Sequence, residues 1–206
     1  MATRETQDLI IKTAIALFNQ QGTRAISTNR IADECGVSRG NLHYHFRTKQ
    51  ELIQSIFRLI KREMEASWFD DHRHPTIEHL KFIFERQIDL VWRYRFFYRE
   101  VNALLADDPE LKDLFIDTRA KRIVEVKKFF SELIETGLIK NPGPDVTLES
   151  LLEVGWLVSD QWVPHLDLHN KDVNEKSVAE GFQLVTEIFL PFFSPEAKQQ
   201  YRELLE

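Results

Sequence analysis

Hydrogen-bond donors and planar side chains are concentrated in one short segment, Arg39–His45. Leu42 and Phe46 are four residues apart, so on a helix they share one face and leave a polar face opposite. That polar face contains Arg39, Gly40, Asn41, His43, Tyr44 and His45. Arginine and asparagine side chains suit the edges of bases in the major groove, and a glycine lets the backbone approach a partner closely. The segment therefore favours contact with duplex DNA.

The residues on either side of this face predict two short helices joined by a tight turn. Ser27 or Thr28 is placed to cap the first helix, and Gly36 follows its end, where a left-handed residue is favoured. Ser38 is placed to cap the second helix. A further helix opens at residues 47–49, where backbone N–H groups and the side chain of Lys49 would together hold a phosphate. The spacing predicts a helix-turn-helix followed by a phosphate contact.

Charge is distributed unevenly along the chain. Residues 1–62 carry a net charge of +5, whereas residues 63–206 carry −11. The basic part coincides with the predicted docking helix, so we interpret it as an electrostatic footprint for phosphates. The acidic remainder would avoid DNA.

Other chemistry finds little support in the residue spacing. No phosphate-cradling loop, dinucleotide fingerprint, serine elbow, Glu-x-x-His or His-Glu-x-x-His motif occurs. His43 and His45 point about 200° apart on a helix, so they cannot easily share a metal. His165 and His169 have a better spacing, but Pro164 is expected to break the helix before them. The sequence predicts no catalytic residues, no metal site and no cofactor.

Length and composition limit the class of protein to which this chain can belong. A chain of 206 residues can hold one or two domains. No apolar run approaches about 18 residues and no signal peptide is evident, which predicts a cytoplasmic protein without a membrane partner. The one cysteine, Cys35, lies on the apolar face of its helix and is interpreted as a core residue.

The stretch Gly36–Phe46 followed by Lys49 resembles the DNA-binding domain of the tetracycline-repressor (TetR) family of bacterial transcription regulators. The resemblance covers roughly residues 6–52 and includes an amphipathic first helix that ends at Gly22. It implies an all-α fold in which residues 1–48 form a helix-turn-helix domain and residues 49–206 form a helical effector-binding and dimerisation domain. A departure is His43, where the family more often has tyrosine.

The resemblance also divides the candidate DNA contacts into two classes. The residues that it implies for phosphate contacts are Thr28, Ser38, Tyr44, His45 and Lys49. The exposed start of the recognition helix leaves Arg39, Asn41 and His43 as candidates for base edges. Gly40 would permit close approach of the backbone.

Beyond residue 48 the apolar periodicity predicts helices throughout. The predicted helices run from Lys49 to about Trp68, from Thr76 to about Trp92, through Phe97–Leu105, from Asp108 to Gly137, from Thr147 to Val163 where Pro164 stops the helix, from Asn174 to about Leu190, and from Ser194 onward.

Two neighbouring apolar helices near the C-terminus predict a partner chain. The helix over 147–163 is apolar nearly all round, so it must be covered on more than one side. The resemblance implies a homodimer through a four-helix bundle of this helix and the one over 174–190. The predicted interface comprises Leu151, Leu152, Gly155, Trp156, Phe182, Val185 and Phe189. A contact within one chain is the alternative.

An effector pocket is implied by the resemblance and by a cluster of aromatic residues. Large apolar pockets are commonly lined by such side chains, although simple core packing explains any one of them as well. The candidate pocket residues are Trp68, Trp92, Phe96, Phe97 and Trp156, with Arg95 and Arg99 for an anionic end of the ligand.

The combined expectation is a dimeric helix-turn-helix regulator that binds a palindromic operator and is released by a small, largely apolar effector. Repression is the usual mode in the family, and activation by the same fold remains the alternative. Two other classes compete with it: a helical enzyme, for which no titratable cluster is evident, and a protein-binding adaptor, against which the basic docking face argues.

Overall fold

The protein is all-helical over the residues that its structure, a computed structural model, describes: 2–66 and 75–204. The helices are α1 (Ala2–Ala25), α2 (Thr28–Cys35), α3 (Arg39–His45), α4 (Lys49–Ala66), α5 (Ile77–Arg93), α6 (Arg95–Asp107), α7 (Pro109–Glu135), α8 (Leu148–Leu168), α9 (Glu175–Phe189) and α10 (Pro195–Glu203). The all-α prediction is confirmed. The predicted end of the fourth helix at Trp68 lies outside the described residues.

Helix ends in the helix-turn-helix follow the signals in the sequence. The hydroxyl of Ser27 accepts from the N–H of Arg30, and Gly36 ends α2 in the left-handed conformation with φ of 68°. The hydroxyl of Ser38 accepts from the N–H of Asn41 at the start of α3. These caps set where α2 ends and where α3 begins, with a tight turn between the two helices.

The first helix bends where the sequence predicts its end. Gly22 has φ of 77°, which favours glycine. The carboxylate of Glu100, on α6, accepts hydrogen bonds from the N–H and the hydroxyl of Thr23 just after the bend. An ideal Cβ at Gly22 would lie 2.8 Å from that carboxylate. The end of α1 is therefore tied to α6.

The hydrophobic interior consists of two clusters. The first runs from α1–α4 into α6 and includes Phe18 and Phe96, whose ring centroids are 5.2 Å apart. The second joins α5, α7, α8 and α9 around residues such as Phe130 and Phe189, 4.5 Å apart. The first cluster also reaches α8 and α9 through Val163, Val178 and Phe182, so it connects the helix-turn-helix with the C-terminal helices.

The prediction that Pro164 ends its helix is wrong, because α8 continues to Leu168. Proline lacks an N–H and costs one helical hydrogen bond. Val163 and Leu166 are buried on either side of it. The indole of Trp162 donates to the carbonyl of Ser177 at 2.6 Å and stacks on His165. Packing on both sides of the proline therefore offsets the missing hydrogen bond.

Candidate DNA-binding interface and ligand site

The predicted docking face of α3 is exposed. Leu42 and Phe46 are buried against the core, as their spacing requires. The opposite face presents Ser38, Arg39, Gly40, Asn41, His43 and Tyr44 to solvent, with His45 and Thr28 half-buried beside it. The fold therefore brings the predicted DNA contacts onto one surface.

Arg39 and Gly40 are not required for packing. The side chain of Arg39 is 68% exposed, and its nearest anionic group, Asp33, is 3.9 Å away. Such a surface pair contributes little to stability, so the guanidinium is available to a partner. An ideal Cβ at Gly40 would meet nothing within 4 Å. The glycine leaves open space at the start of α3, so another molecule can approach the helix backbone closely.

Tyr44 is 77% exposed and its ring meets the edge of His45 at 5.3 Å between centroids. A tyrosine normally buries most of its large apolar ring. Its exposure leaves both the ring and the hydroxyl accessible at the surface of α3.

Lys49 has partners within the chain. Its Nζ donates to the carbonyl oxygens of Thr23 at 2.8 Å and Ile26 at 3.2 Å. The N–H of Arg47 donates to the carboxylate of Glu51 at 2.8 Å, so a side chain already occupies the N-terminal end of α4. An ammonium has three N–H groups, so one N–H of Lys49 can still donate to another acceptor. A phosphate contact by Lys49 therefore stays a prediction.

The residues predicted for the dimer interface are covered within a single chain. Leu151, Leu152, Gly155, Phe182, Val185 and Phe189 are buried and Trp156 is half-buried. The expectation that they lack cover in one chain is wrong, because α9 packs directly on α8. An ideal Cβ at Gly155 would lie 3.4 Å from Val185, and one at Gly181 would lie 2.5 Å from the ring of Trp162. These glycines serve a contact inside the chain.

Other apolar residues on the same two helices are exposed. On α8 they are Val154, Leu157 and Leu168, and on α9 Leu184. Leu157 is 57% exposed. Their spacing places an apolar stripe on the side of α8 that faces away from the core.

A cavity of about 80 Å³ lies between α4, α5, α7, α8 and α9. Its apolar walls include Leu80, Ile83, Phe130, Leu152, Val185 and Phe189, and its polar wall includes Gln87, Arg122 and Ser159. A smaller cavity of about 30 Å³ adjoins it and reaches Tyr98, Thr118, Arg119 and Asp160. A larger groove of about 850 Å³ lies between α5, α9 and α10. That groove is open and has charged residues such as Lys81 and Glu187 at its walls, so the interior cavities are the better candidate ligand site.

Two of the predicted pocket residues line these cavities. Trp156 borders both and Phe97 borders the smaller one. Phe96 packs on Phe18 instead, and Trp68 lies outside the described residues.

Neither predicted arginine reaches the cavities. The guanidinium of Arg95 lies 4.0 Å over the ring of Trp92 and donates to its carbonyl oxygen. Arg99 pairs with Asp167 of α8 at 2.5 Å. Trp92, Arg95 and Arg99 interact with one another, or with a neighbouring helix, outside the walls of these two cavities, so their role in a ligand site stays a prediction.

The cavity arginines are Arg119 and Arg122 of α7, which the sequence reasoning missed. A signal was present: Arg122 stands four residues after Thr118 and four before Val126, at a position of the apolar stripe of α7. A charged residue at such a position is rarely buried without a partner. That exception to the stripe identifies a polar site inside the C-terminal helices.

The polar groups at the smaller cavity include a paired arginine and a buried phenol. Arg119 pairs with Asp160 of α8 and stacks over Trp156 at 4.0 Å from the ring centroid. Burial lowers the pKa of Arg119 to about 10, so it stays charged at neutral pH. Burial also raises the pKa of the Tyr98 phenol, which therefore stays a hydrogen-bond donor. The smaller cavity thus offers donors and a cation to a ligand.

Within the described ranges, no group of three or more metal-ligating side chains converges on one point. His165 lies in α8 and His169 is the residue that follows its last turn, with ring centroids 4.2 Å apart, because the helix does not break at Pro164 as expected. Among those same residues, no helix is long and apolar enough to cross a membrane.

Family comparisons cover almost the whole chain. A family model described as bacterial transcriptional repressor, TetR, matches residues 50–201, and one described as bacterial regulatory proteins, tetR family, matches residues 10–56. A TetR-family transcriptional regulator from Marinobacter aquaeolei VT8 has a similar structure, with 30% identity, a TM-score of 0.84 and coverage of 96% of each chain.

More distant relatives carry functional names. The transcriptional repressor KstR2 of Mycobacterium tuberculosis H37Rv is 24% identical over 74% of this chain and 78% of that protein. The structure of AibR in complex with isovaleryl coenzyme A and operator DNA is 20% identical, with a TM-score of 0.65, and covers 91% of this chain and all of that one. Two other curated relatives match over 51 and 56 residues, so this chain spans only 18% and 26% of their lengths.

Proposed function

The chain belongs to the TetR family of bacterial transcription regulators, and on that premise we propose that it is a homodimeric repressor whose operator binding is relieved by a small, largely apolar effector. The docking face of α3 carries this proposal: most of its polar residues are exposed, a Cβ added at Gly40 would meet nothing within 4 Å, and Tyr44 is 77% exposed. We assign residues 1–48 to DNA binding and residues 49–206 to effector binding and dimerisation. Because its partner is duplex DNA, we place its action in the cytoplasm.

DNA binding is tested by fluorescence anisotropy with the DNA that flanks its own gene, over a series of salt concentrations. A regulator should form a salt-sensitive complex at one short palindrome, because phosphate contacts release counterions. Arg39→Ala should weaken operator binding by about 1–3 kcal/mol, the value of a good base contact. Arg58→Ala removes an exposed arginine of α4 outside the docking face and serves as the matched control. Equal losses from both variants would contradict the assignment.

Dimerisation through the exposed stripe of α8 and α9 is the second part of the proposal. A short recognition helix reads few base pairs, so a two-fold pair of helices is needed for a specific site. Val154, Leu157 and Leu184 offer apolar surface that the single chain leaves exposed. Sedimentation at low micromolar concentration should give twice the chain mass of 24.3 kDa. Leu157→Glu with Leu184→Glu should yield monomers, whereas a monomeric parent protein would reject the dimer.

The sign of regulation is tested in cells. The relative KstR2 is named a repressor, and repression is our proposal here. A reporter gene placed behind the operator should be silent when the protein is expressed and active when it is deleted. A reporter that falls silent on deletion would identify an activator instead.

We propose no catalytic role for this chain, because the family models and structures it matches are described as transcription regulators. AibR was solved with both a coenzyme A derivative and operator DNA. That combination supports a small-molecule effector for this chain, and we place the effector in the C-terminal helices because the interior cavities lie there.

A further inference from the structure

The two interior cavities share one wall. Met64, Gln87, Arg122, Trp156 and Ser159 border both of them. The larger cavity has apolar walls around Phe130 and Phe189, whereas the smaller one, although also mostly apolar, adds the polar groups of Tyr98 and Arg119. The two adjoining cavities therefore offer apolar walls and a few polar groups, which suits an amphipathic molecule.

Arg122 occupies the junction of the two cavities. It is 4% exposed, yet it lines both. Its Nη1 donates to Glu125 at 2.9 Å, and its Nη2 donates to the carbonyl oxygen of Met64 at 2.5 Å. Burial lowers its pKa, but an arginine remains charged in proteins. A buried cation in this position is an unusual element for a cavity that binds only apolar groups.

Glu125, one of the groups that interact with the guanidinium of Arg122, is replaceable. Glu125 lies one turn further along α7 and its side chain is 51% exposed, so water can solvate its carboxylate if the pair opens. Arg119 differs, because its partner Asp160 is only 23% exposed and Trp156 covers the guanidinium. A ligand carboxylate therefore competes more easily at Arg122 than at Arg119.

Arg122 also holds the far end of α4. Met64 lies in the last described turn of that helix, where carbonyl groups and the helix dipole favour a cation. The other end of α4 begins at Lys49, beside the recognition helix. A group that draws the guanidinium away from Met64 would loosen a helix that leads from the cavity to the helix-turn-helix.

We propose that this site binds a small amphipathic monocarboxylate, with its carboxylate on Arg122 and its apolar chain against Phe130 and Phe189. The inference rests on the proposed function and specifies the effector class and the residue that senses it. Ligand sites usually enclose about 300–1,000 Å³, so a cavity of about 80 Å³ must widen on binding. The ligand thereby favours a wider spacing of α4 and α7 and releases Met64, and this differential affinity shifts the equilibrium away from the DNA-binding conformation.

The test compares three compounds with the same chain length: octanoate, octanol and octylamine. Isothermal titration calorimetry on the full-length protein should show octanoate binding at least about tenfold more tightly than octanol, as expected for a buried hydrogen bond to a charged group. Octylamine should not bind detectably. In Arg122→Gln, octanoate should lose its advantage over octanol. Octanol binding as tightly as octanoate, or binding by none of the three, would overturn the proposal.

A second variant pair does not depend on removing a buried residue. Glu125→Gln removes one carboxylate that competes for Arg122 and should tighten octanoate binding by about two- to fivefold, the effect of removing an exposed competitor. Octanol should be unaffected. Asp160→Asn frees Arg119 and should leave octanoate unchanged. The reverse pattern would assign the carboxylate to Arg119 and overturn the role of Arg122, and tighter binding of octanoyl coenzyme A than of octanoate would overturn the free carboxylate.

Operator binding without ligand is measured on the same protein samples. A protein that binds its operator but shows no carboxylate preference would contradict this inference and leave the proposed function standing. A protein without operator binding would contradict the proposed function, while the calorimetry would still report on the ligand class. Octanoate should also weaken operator binding in the parent chain, and this effect should disappear in Arg122→Gln.

Discussion

The docking face of α3 and the interior site of the C-terminal helices are built by opposite rules. On α3, the candidate functional residues are exposed and the fold does not need them, as Gly40 and Tyr44 illustrate. Inside the C-terminal helices, Arg119 and Arg122 are charges that an apolar interior should exclude, and each is retained with a carboxylate partner. A candidate site on the surface is therefore recognised by exposed residues that packing does not need. A candidate site in the interior is recognised by charged residues whose burial is unfavourable.

Paired substitutions of two aromatic residues should show this contrast most strongly. Phe96 is fully buried and contacts Phe18, so Phe96→Ala should lower the free energy of unfolding by about 3–5 kcal/mol. Tyr44→Ala should change it by less than about 0.5 kcal/mol, since the ring is exposed, while weakening DNA binding. Urea unfolding and anisotropy on both variants measure the two effects. A large loss of stability in Tyr44→Ala would remove the distinction.

Two glycines provide a second test of the same contrast. Gly181→Ala places a Cβ against the ring of Trp162 and should destabilise the protein by about 1–3 kcal/mol through overpacking. Gly40→Ala meets nothing and should stabilise α3 by up to about 1 kcal/mol, because alanine is the better helix former. The stabilised variant should nonetheless bind operator DNA less tightly. Unchanged operator affinity would mean that the backbone of α3 does not approach the DNA at this position.

Lys49 combines features of the docking face and of the interior site, because it is half-buried and its side chain donates to main-chain carbonyl oxygens. Lys49→Gln should lower the free energy of unfolding by about 1 kcal/mol through loss of its contacts with Thr23 and Ile26. If the same side chain also reaches a phosphate, the logarithmic salt dependence of DNA binding should decrease by about one unit. An unchanged salt slope with reduced stability would leave Lys49 with a structural role alone.

The smallest effect is expected at an exposed ion pair outside both sites. Lys127 and Glu149 join α7 to α8 at 2.6 Å, and the hydrogen bond from Lys127 lowers the pKa of Glu149 below its ordinary 4.5. A lowered pKa means that the pair stabilises the fold above that ordinary value and loses its effect as the pH falls through the folded pKa. Glu149→Gln should therefore melt slightly earlier than the parent chain at pH 7 and equally at strongly acidic pH. A difference that grows on acidification would contradict this sign.

Local signals in the sequence predict the helices and the docking face well. Caps such as Ser38 and the spacing of Leu42 and Phe46 act within a few residues, so their outcome depends little on distant parts of the chain. Pro164 failed as a signal because Trp162, Val163 and Leu166 pack on distant helices and compensate for one lost hydrogen bond.

From the sequence, a pocket in the C-terminal helices could be predicted, but the residues that line it could not. Aromatic clustering indicated a pocket, but many aromatic residues in a row, as around Trp92 and Phe96, do not reveal which ring faces which helix. The exposed stripe that includes Leu157 and Leu184 could likewise not be predicted from the sequence. A helix that is apolar on all sides does not indicate which side is covered by its own chain. Both decisions depend on contacts between residues far apart in sequence.

The carboxylate of Glu100 on Thr23 joins residues 77 positions apart. During synthesis the two partners are therefore separated in time: at about 5–20 residues per second, the chain between them takes several seconds to make. A nascent chain that stops before residue 100 already holds Thr23 through Lys49, whose Nζ donates to its carbonyl oxygen, but still lacks the contact from α6.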